Sequence, residues 1–265
     1  GQNTANPQAS VAPGGELSCT VTSLVLDGTN SSTGGNFTYN WTTAAGNIVS
    51  GQGTLSPVVD ATGTYNLVVT NTANGCTSSA STVVTADASI PAANAGPATT
   101  LTCLVSEITL NATASSQGSE FSYNWTGPGI VSGGNTLTPT INAAGTYTLH
   151  ILNTANGCTA SSNVLIPADV VLPVAAAGAP AVLNCVDTVL TLQGNASSTG
   201  QQFTYLWTTS TGGNILSGAN TLAPQIDQPG AYTLLVTNTT NGCTATDVVN
   251  IAQNTALPAA NAGAP

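Results

Sequence analysis

Six cysteines and one histidine are the residues with distinctive side-chain chemistry in this 265-residue chain. Three of the cysteines close nearly identical stretches: NTANGCT at 71–77, NTANGCT at 153–159 and NTTNGCT at 238–244. Two cysteines can oxidise to a disulfide, whereas Cys-x-x-Cys spacing with a recurring histidine would suit zinc. No Cys-x-x-Cys occurs and His150 stands alone, so the pattern points to disulfides and an oxidising compartment. Asn-Gly is a tight-turn signal, because glycine accepts the positive φ such turns demand. Cys76, Cys158 and Cys243 therefore sit at the mouths of turns, and Cys19, Cys103 and Cys185 complete the set.

No other chemistry is nominated. The serines never fall in a Gly-x-Ser-x-Gly elbow that could activate one. Asp27 aligns with Asn111 and Gln193, Asp60 with Asn142 and Asp227, and Glu107 and Glu120 have no acidic counterparts. No carboxylate position among these is held in all copies, which argues against a repeated calcium site. His150 falls on the outward side of its segment, where Val68 and Leu235 stand in the sister copies. The expectation is a chain that is not an enzyme and holds no cofactor and no metal.

The charge balance narrows the partners. There is no Lys and no Arg, and ten acids give a net charge of −10. Such a surface repels polyanions and has no cations with which to release their counterions, which excludes nucleic acid and disfavours anionic membrane. The longest apolar stretch, VVLPVAAAGAPAVL at 170–183, is too short and too broken by Pro and Gly to span a bilayer and reads as a linker. No basic or apolar leader opens the sequence, so any export signal is expected to lie outside it.

The elements that would position the cysteines recur three times. The tryptophans fall at 41, 125 and 207, each 22 residues after an early cysteine; Tyr65, Tyr147 and Tyr232 each lie 11 residues before a turn cysteine. The period is 82–85 residues. Residues 252–265 align with 1–14, sharing QNTA, as though a further unit began there. The repeats are assigned to 1–88, 89–171 and 172–254, with 255–265 as the first strand or linker of a following repeat. The Pro-bearing stretches 88–98 and 170–180 read as short, restricted junctions.

Within a unit the period is two. FSYNW alternates Phe121, Tyr123 and Trp125 inward with polar residues outward, as do Phe37, Tyr39, Trp41 and Phe203, Tyr205, Trp207. GTYTLHILN places Tyr147, Leu149 and Ile151 on one side. About seven short strands with turn signals every 8–12 residues predict an all-β antiparallel sandwich with Trp41, Trp125, Trp207, Tyr65, Tyr147 and Tyr232 as core aromatics. A sugar-binding role for the tryptophans is the weaker reading, given their inward register. Asn-x-Ser/Thr at Asn30, Asn36, Asn40, Asn111, Asn124, Asn195 and Asn238 allows glycosylation.

The set LTC…ITLNATASS…YNWT…IVSGGNTLTPTI…GTYTL…NTANGCT resembles the tandem repeats of very large secreted surface proteins of Bacteroidota, including gliding-type adhesins. FSYNW…GTYTL also looks like the strand pair of PKD-like immunoglobulin-type domains, although the acidic run that follows the tryptophan in that family is absent here. The resemblance covers all three units. It implies three Ig-like (PKD-like) sandwiches in a linear array, secretion, and an extracellular or cell-surface location.

A standard Ig-type topology puts Cys103 at the lower end of its domain and Cys158 at the upper end, about 20 Å apart for a seven-residue strand, beyond the ~7 Å that a disulfide spans between Cα atoms. In a linear array the lower end of one domain meets the upper end of the next, so Cys19–Cys158 and Cys103–Cys243 become partners across junctions. Cys76 and Cys185 are then left facing opposite ends, to bond an adjacent unit or each other in a polymer. Pairing within each repeat (19–76, 103–158, 185–243) stays open as the alternative. The functional expectation is a structural segment of an extracellular fibre or adhesin stalk, partnered end to end by copies of itself or neighbouring repeats. The alternative is a module that binds carbohydrate or another cell.

Overall fold

The computed structural model describes residues 4–210 and 212–256. The chain is all-β, and its strands fall into three sets of the same plan. In the first, β1 (Glu16–Ser18), β7 (Thr77–Asp87), β6 (Gly63–Asn71) and β3 (Phe37–Thr43) form one sheet in that spatial order. β2 (Leu24–Val25), β5 (Val58–Val59) and β4 (Ile48–Ser50) form the other.

The third set repeats this layout. β16 (Ala181–Asn184), β22 (Thr244–Asn254), β21 (Gly230–Asn238) and β18 (Phe203–Thr209) make the larger sheet, and β17 (Leu190–Thr191), β20 (Gln225–Ile226) and β19 (Ile215–Ser217) the smaller. In the second set, β10 (Phe121–Thr126), β13 (Gly145–Asn153) and β14 (Thr159–Ile166) pair as before, opposite β11 (Ile130–Ser132), β12 (Thr140–Ile141) and β9 (Ile108–Thr109). There the last strand breaks at Pro167, which has no N–H to give the ladder. It resumes as β15 (Ala168–Asp169), paired with β8 (Leu101–Thr102). No sheet joins strands of different repeats among the described residues.

Alternation drives each core. Trp41, Tyr65, Leu67 and Val69 from one sheet bury against Val59 from the other and Leu26 just after β2, and the second and third repeats form matching clusters around Trp125 with Tyr147 and Trp207 with Tyr232. Two facing sheets sharing one core make each unit an Ig-like β-sandwich, and three in tandem make the chain. The indole N–H groups of Trp41, Trp125 and Trp207 donate to the carbonyls of Thr54, Thr136 and Thr221, each at 2.9 Å. The Tyr65 and Tyr232 hydroxyls donate to the carbonyls four residues upstream, Ala61 and Gln228, at 2.6 Å. The Tyr147 hydroxyl lies against the carbonyls of Ala143 and Pro128. This is the tyrosine corner of Ig-type sandwiches.

Two expectations need correction. The sandwiches are not wholly antiparallel, because β1–β7, β8–β15 and β16–β22 pair in parallel. The first strand crosses to the far edge of the sheet that holds the last one, a pairing invisible to a period-two pattern. The stretches 88–98 and 170–180 are not linkers throughout. Ala95 and Ala177 are buried in the cores of the repeats they lead into. Their backbone N–H groups donate to Ser162 Oγ at 3.1 Å and Asp247 Oδ2 at 2.7 Å, while those of Asn94 and Ala176 donate to Ser115 and Ser197 Oγ at 2.9 Å. Side-chain acceptors stand in for a ladder partner there, and alanines are small enough to lie flat on the core. Residues 257–265, expected to begin a further unit, lie outside the described residues.

Candidate functional site at the repeat junctions

Each Asn-Gly-Cys turn satisfies its own backbone through local hydrogen bonds. Gly75, Gly157 and Gly242 take φ of +74°, +74° and +72°, and their N–H groups reach back to the carbonyls of Asn71, Asn153 and Asn238 at 2.8, 2.8 and 2.7 Å. The Oδ1 atoms of those asparagines accept from Ala73, Ala155 and Thr240 N at 3.0 Å. The second asparagines, Asn74, Asn156 and Asn241, accept from the cysteine N–H at 2.9, 2.9 and 3.0 Å. Threonine hydroxyls (Thr72, Thr154, Thr239) tie the turn to the carbonyls of Asn36, Glu120 and Gln202. The thiol is thus aimed by backbone geometry.

The early cysteines are aimed as firmly. Each follows the first residue of a turn, closed by Ser18 N to Val21 O at 2.9 Å, Thr102 N to Val105 O at 3.0 Å and Asn184 N to Asp187 O at 3.1 Å. The first side chain caps the turn by accepting the N–H of Val21, Val105 or Asp187 at 3.1, 3.0 and 2.8 Å.

The structure bonds Cys19 to Cys158 and Cys103 to Cys243, each pair with Cα atoms 5.0 Å apart. Both bonds run from the lower turn of one repeat to the upper turn of the next; the within-repeat pairs are not formed. Cys76 and Cys185 are free. The bonded turn cysteines are buried, Cys158 at 0% and Cys243 at 1% exposure, while Cys76 is half-buried in an otherwise equivalent turn.

A polar clasp lies beside each bond. Asn241 Nδ2 donates to Asp169 Oδ1 at 2.9 Å and to the carbonyl of Val171 at 3.1 Å. Asn156 Nδ2 donates to Ser89 O at 3.1 Å and to the Asp87 carboxylate. The upper turn of a repeat therefore grips the chain entering from the repeat before. Hydrogen bonds from Ser89, backbone first, and from Asn156 hold Asp87 below its ordinary value of 3.8. The hydroxyl of Thr29 and then its N–H do the same for Asp27. Burial pushes the Tyr147 and Tyr232 hydroxyls up.

The acidic clasp is hidden in the sequence because its position is acidic in two copies only. Asp87, Asp169 and Asn254 each lie ten residues after the threonine that opens the last strand, so two copies carry Asp and the third Asn. That fixed spacing was the available signal.

The remaining candidates converge on nothing. His150 is exposed on β13, opposite Asn124 and Ser161. The tryptophans are 0–4% exposed and offer no ring face to a sugar. A shallow depression of about 300 Å³ beside Trp41 is lined by Thr42, Thr43, Gly46, Asn47, Ile48 and Gln52 and carries no charge. Among the described residues no three His, Cys, Asp or Glu side chains gather as metal ligands, and no helix is long and apolar enough to cross a membrane.

No protein-family model and no curated protein matches the chain. Solved structures that it is similar to include an I-band fragment of titin, I67–I69, at 14% identity and TM-score 0.44, with 95% of this chain and 100% of that chain covered. The eight N-terminal Ig domains of Down Syndrome Cell Adhesion Molecule align at 14% identity and TM-score 0.38, over 94% of this chain and 37% of that one. The insect immune protein hemolin aligns at 9% identity and TM-score 0.29, over 94% of this chain and 76% of that one.

Proposed function

We propose that this chain is a load-bearing segment of an extracellular fibre or adhesin stalk, of the kind its sequence resembles in the large secreted surface proteins of Bacteroidota. The carrying observation is that both disulfides join consecutive repeats rather than closing a single one. A bond within a repeat would stabilise that repeat alone; a bond across a junction fixes the angle between two and shares load. Disulfides persist in oxidising compartments, which supports an extracellular setting. The absence of every Lys and Arg removes the cleavage sites of trypsin-like proteases, and net charge of one sign keeps neighbouring fibres apart.

The covalent wiring makes a mechanical forecast. Between residues 1 and 265, the shortest bonded route runs to Cys19, crosses to Cys158, returns along the chain to Cys103 and crosses to Cys243. That is roughly 98 residues of backbone instead of 265, or about 340 Å against about 930 Å fully extended. Single-molecule pulling from the two ends, with and without a reductant, tests it. Extension that stops near the shorter length until reductant is added supports the reading. Extension to the full length under oxidising conditions opposes it.

A further inference from the structure

Two Asn-Gly pairs, Asn156–Gly157 and Asn241–Gly242, carry a reaction that the two junctions hold shut. An asparagine followed by glycine cyclises readily in an unfolded chain, because glycine has no side chain to hinder attack of its amide nitrogen on the asparagine carboxamide. Here every participant is engaged. The Gly157 and Gly242 N–H groups donate to Asn153 O at 2.8 Å and Asn238 O at 2.7 Å. The carboxamide oxygens accept the N–H of Cys158 and Cys243 at 2.9 and 3.0 Å. The carboxamide nitrogens donate into the preceding repeat: Asn156 to Ser89 O at 3.1 Å, Asn241 to Asp169 Oδ1 at 2.9 Å and Val171 O at 3.1 Å. The asparagines are 3% and 1% exposed. Thr20 and Leu104, also from the preceding repeat, lie so close over Gly157 and Gly242 that neither glycine has room for a Cβ. At both junctions, therefore, the lid over the reactive pair belongs to another repeat. The bond that pins each lid has one accessible side: Cys158 and Cys243 are buried, whereas Cys19 and Cys103 are exposed.

We propose that Asn156 and Asn241 are modification sites unmasked by reduction: once a thiol opens the adjoining disulfide and the junction parts, each deamidates to aspartate or isoaspartate, and the junction does not close again. The inference rests on the two formed junctions and not on the fibre reading. A thiolate attacks the exposed sulfur of Cys19 or Cys103 and expels the thiolate of Cys158 or Cys243, which takes up a proton; a second thiol resolves the mixed disulfide and the reductant leaves as its own disulfide. The freed glycine nitrogen then gives up its proton and bonds to the asparagine Cγ, the bond to Nδ2 breaks, and ammonia leaves a succinimide. Water opens that ring at either carbonyl. The product carries a carboxylate where a donor stood, aimed at Asp169 in one junction and at Asp87, which Asn156 also bonds, in the other. The chain has no Lys or Arg to offset two facing carboxylates. Isoaspartate also routes the backbone through one more carbon in a turn that aims the cysteine.

The test incubates the full-length chain at mildly alkaline pH in three states: oxidised, reduced with dithiothreitol, and reduced in urea. Peptide mass spectrometry follows deamidation at each asparagine. In the oxidised chain Asn156 and Asn241 are expected to react at least about tenfold more slowly than in urea, and in the reduced chain within about threefold of the urea rate. Equally slow reaction in the oxidised and reduced chains would overturn the inference, because packing alone would then hold the lid. So would fast reaction in the oxidised chain. The closing step is read on Asn241→Asp, reduced and reoxidised with glutathione, with Cys19–Cys158 in the same molecules reporting that the chain folds. The yield of Cys103–Cys243 is expected to fall about tenfold, and Asn241→Ser, uncharged and unable to cyclise, to recover part of it. A yield for Asn241→Asp equal to that of the parent would overturn the inference. Mapping the oxidised parent separates the two levels. With Cys19–Cys158 and Cys103–Cys243 present and the rates unchanged by reduction, only this inference fails; with those bonds absent, the fibre reading fails as well.

Discussion

Asn241 donates its side-chain amide to the Asp169 carboxylate at 2.9 Å, so the upper turn of the third repeat holds the last strand of the second. The asparagine is 1% exposed, and its Oδ1 also accepts the Cys243 N–H. Junction and turn are therefore one hydrogen-bonded object. Asn241→Ala leaves the Cys243 N–H and the Val171 carbonyl without their partners, at a cost of about 1–3 kcal/mol. Thermal unfolding of reduced protein, where the disulfide no longer masks the loss, is the measurement, and an unchanged transition would deny the clasp.

Glycines in identical backbone states should respond differently to the same change. Gly75→Ala and Gly157→Ala both force a side chain into the left-handed region, costing about 1–2 kcal/mol. Only at Gly157 does the new Cβ also strike Thr20 of the preceding repeat. Gly157→Ala is expected to cost about 1–3 kcal/mol more than Gly75→Ala. Paired melting curves decide it.

Acid should loosen the first junction. Asp87 has a lowered folded pKa, through Ser89 and Asn156, so the native state binds fewer protons than the unfolded chain. Its stabilisation is full at neutral pH and is lost as pH falls below 3.8 through the lowered folded value. Asp27, held by Thr29, adds in the same direction. Asp87→Ala is expected to lower the melting temperature at pH 6 and to converge on the parent near pH 2, as melts across that range would show.

The tyrosine corners carry the opposite limb. Burial raises the Tyr232 hydroxyl above its ordinary value of 10.0, so folding opposes ionisation and stability falls as pH climbs beyond 10. Tyr232→Phe leaves the Gln228 carbonyl and the Asn214 N–H without their partner, costing about 1–2 kcal/mol at pH 7. The same variant is expected to flatten the alkaline decline of the third repeat, followed by circular dichroism from pH 8 to 12.

What the sequence made legible followed from repetition. Alternation in FSYNW and GTYTLHILN marks the strands that bury Trp125 and Tyr147 because burial on one face imposes a period of two. The constant intervals of 22 residues from early cysteine to tryptophan and 11 from tyrosine to turn cysteine carry the three-unit plan. Segments whose partners lie far along the chain were opaque. Ala95 looks like a linker residue because its hydrogen-bond partner is the side chain of Ser162, 67 positions away. The parallel pairing of Leu101 with Ala168 leaves no local mark. The Asp87 and Asp169 clasps hid behind Asn254, which keeps the acceptor and discards the charge.

Disulfide mapping of native, unreduced protein by mass spectrometry tests the central claim most directly. With no Lys or Arg, the chain must be cut by acid-specific or chymotryptic proteases. Linked peptides that join Cys19 to Cys158 and Cys103 to Cys243 are expected. Links of Cys19 to Cys76, Cys103 to Cys158 and Cys185 to Cys243 would contradict that claim, leaving three separately stapled domains with junctions held by packing alone.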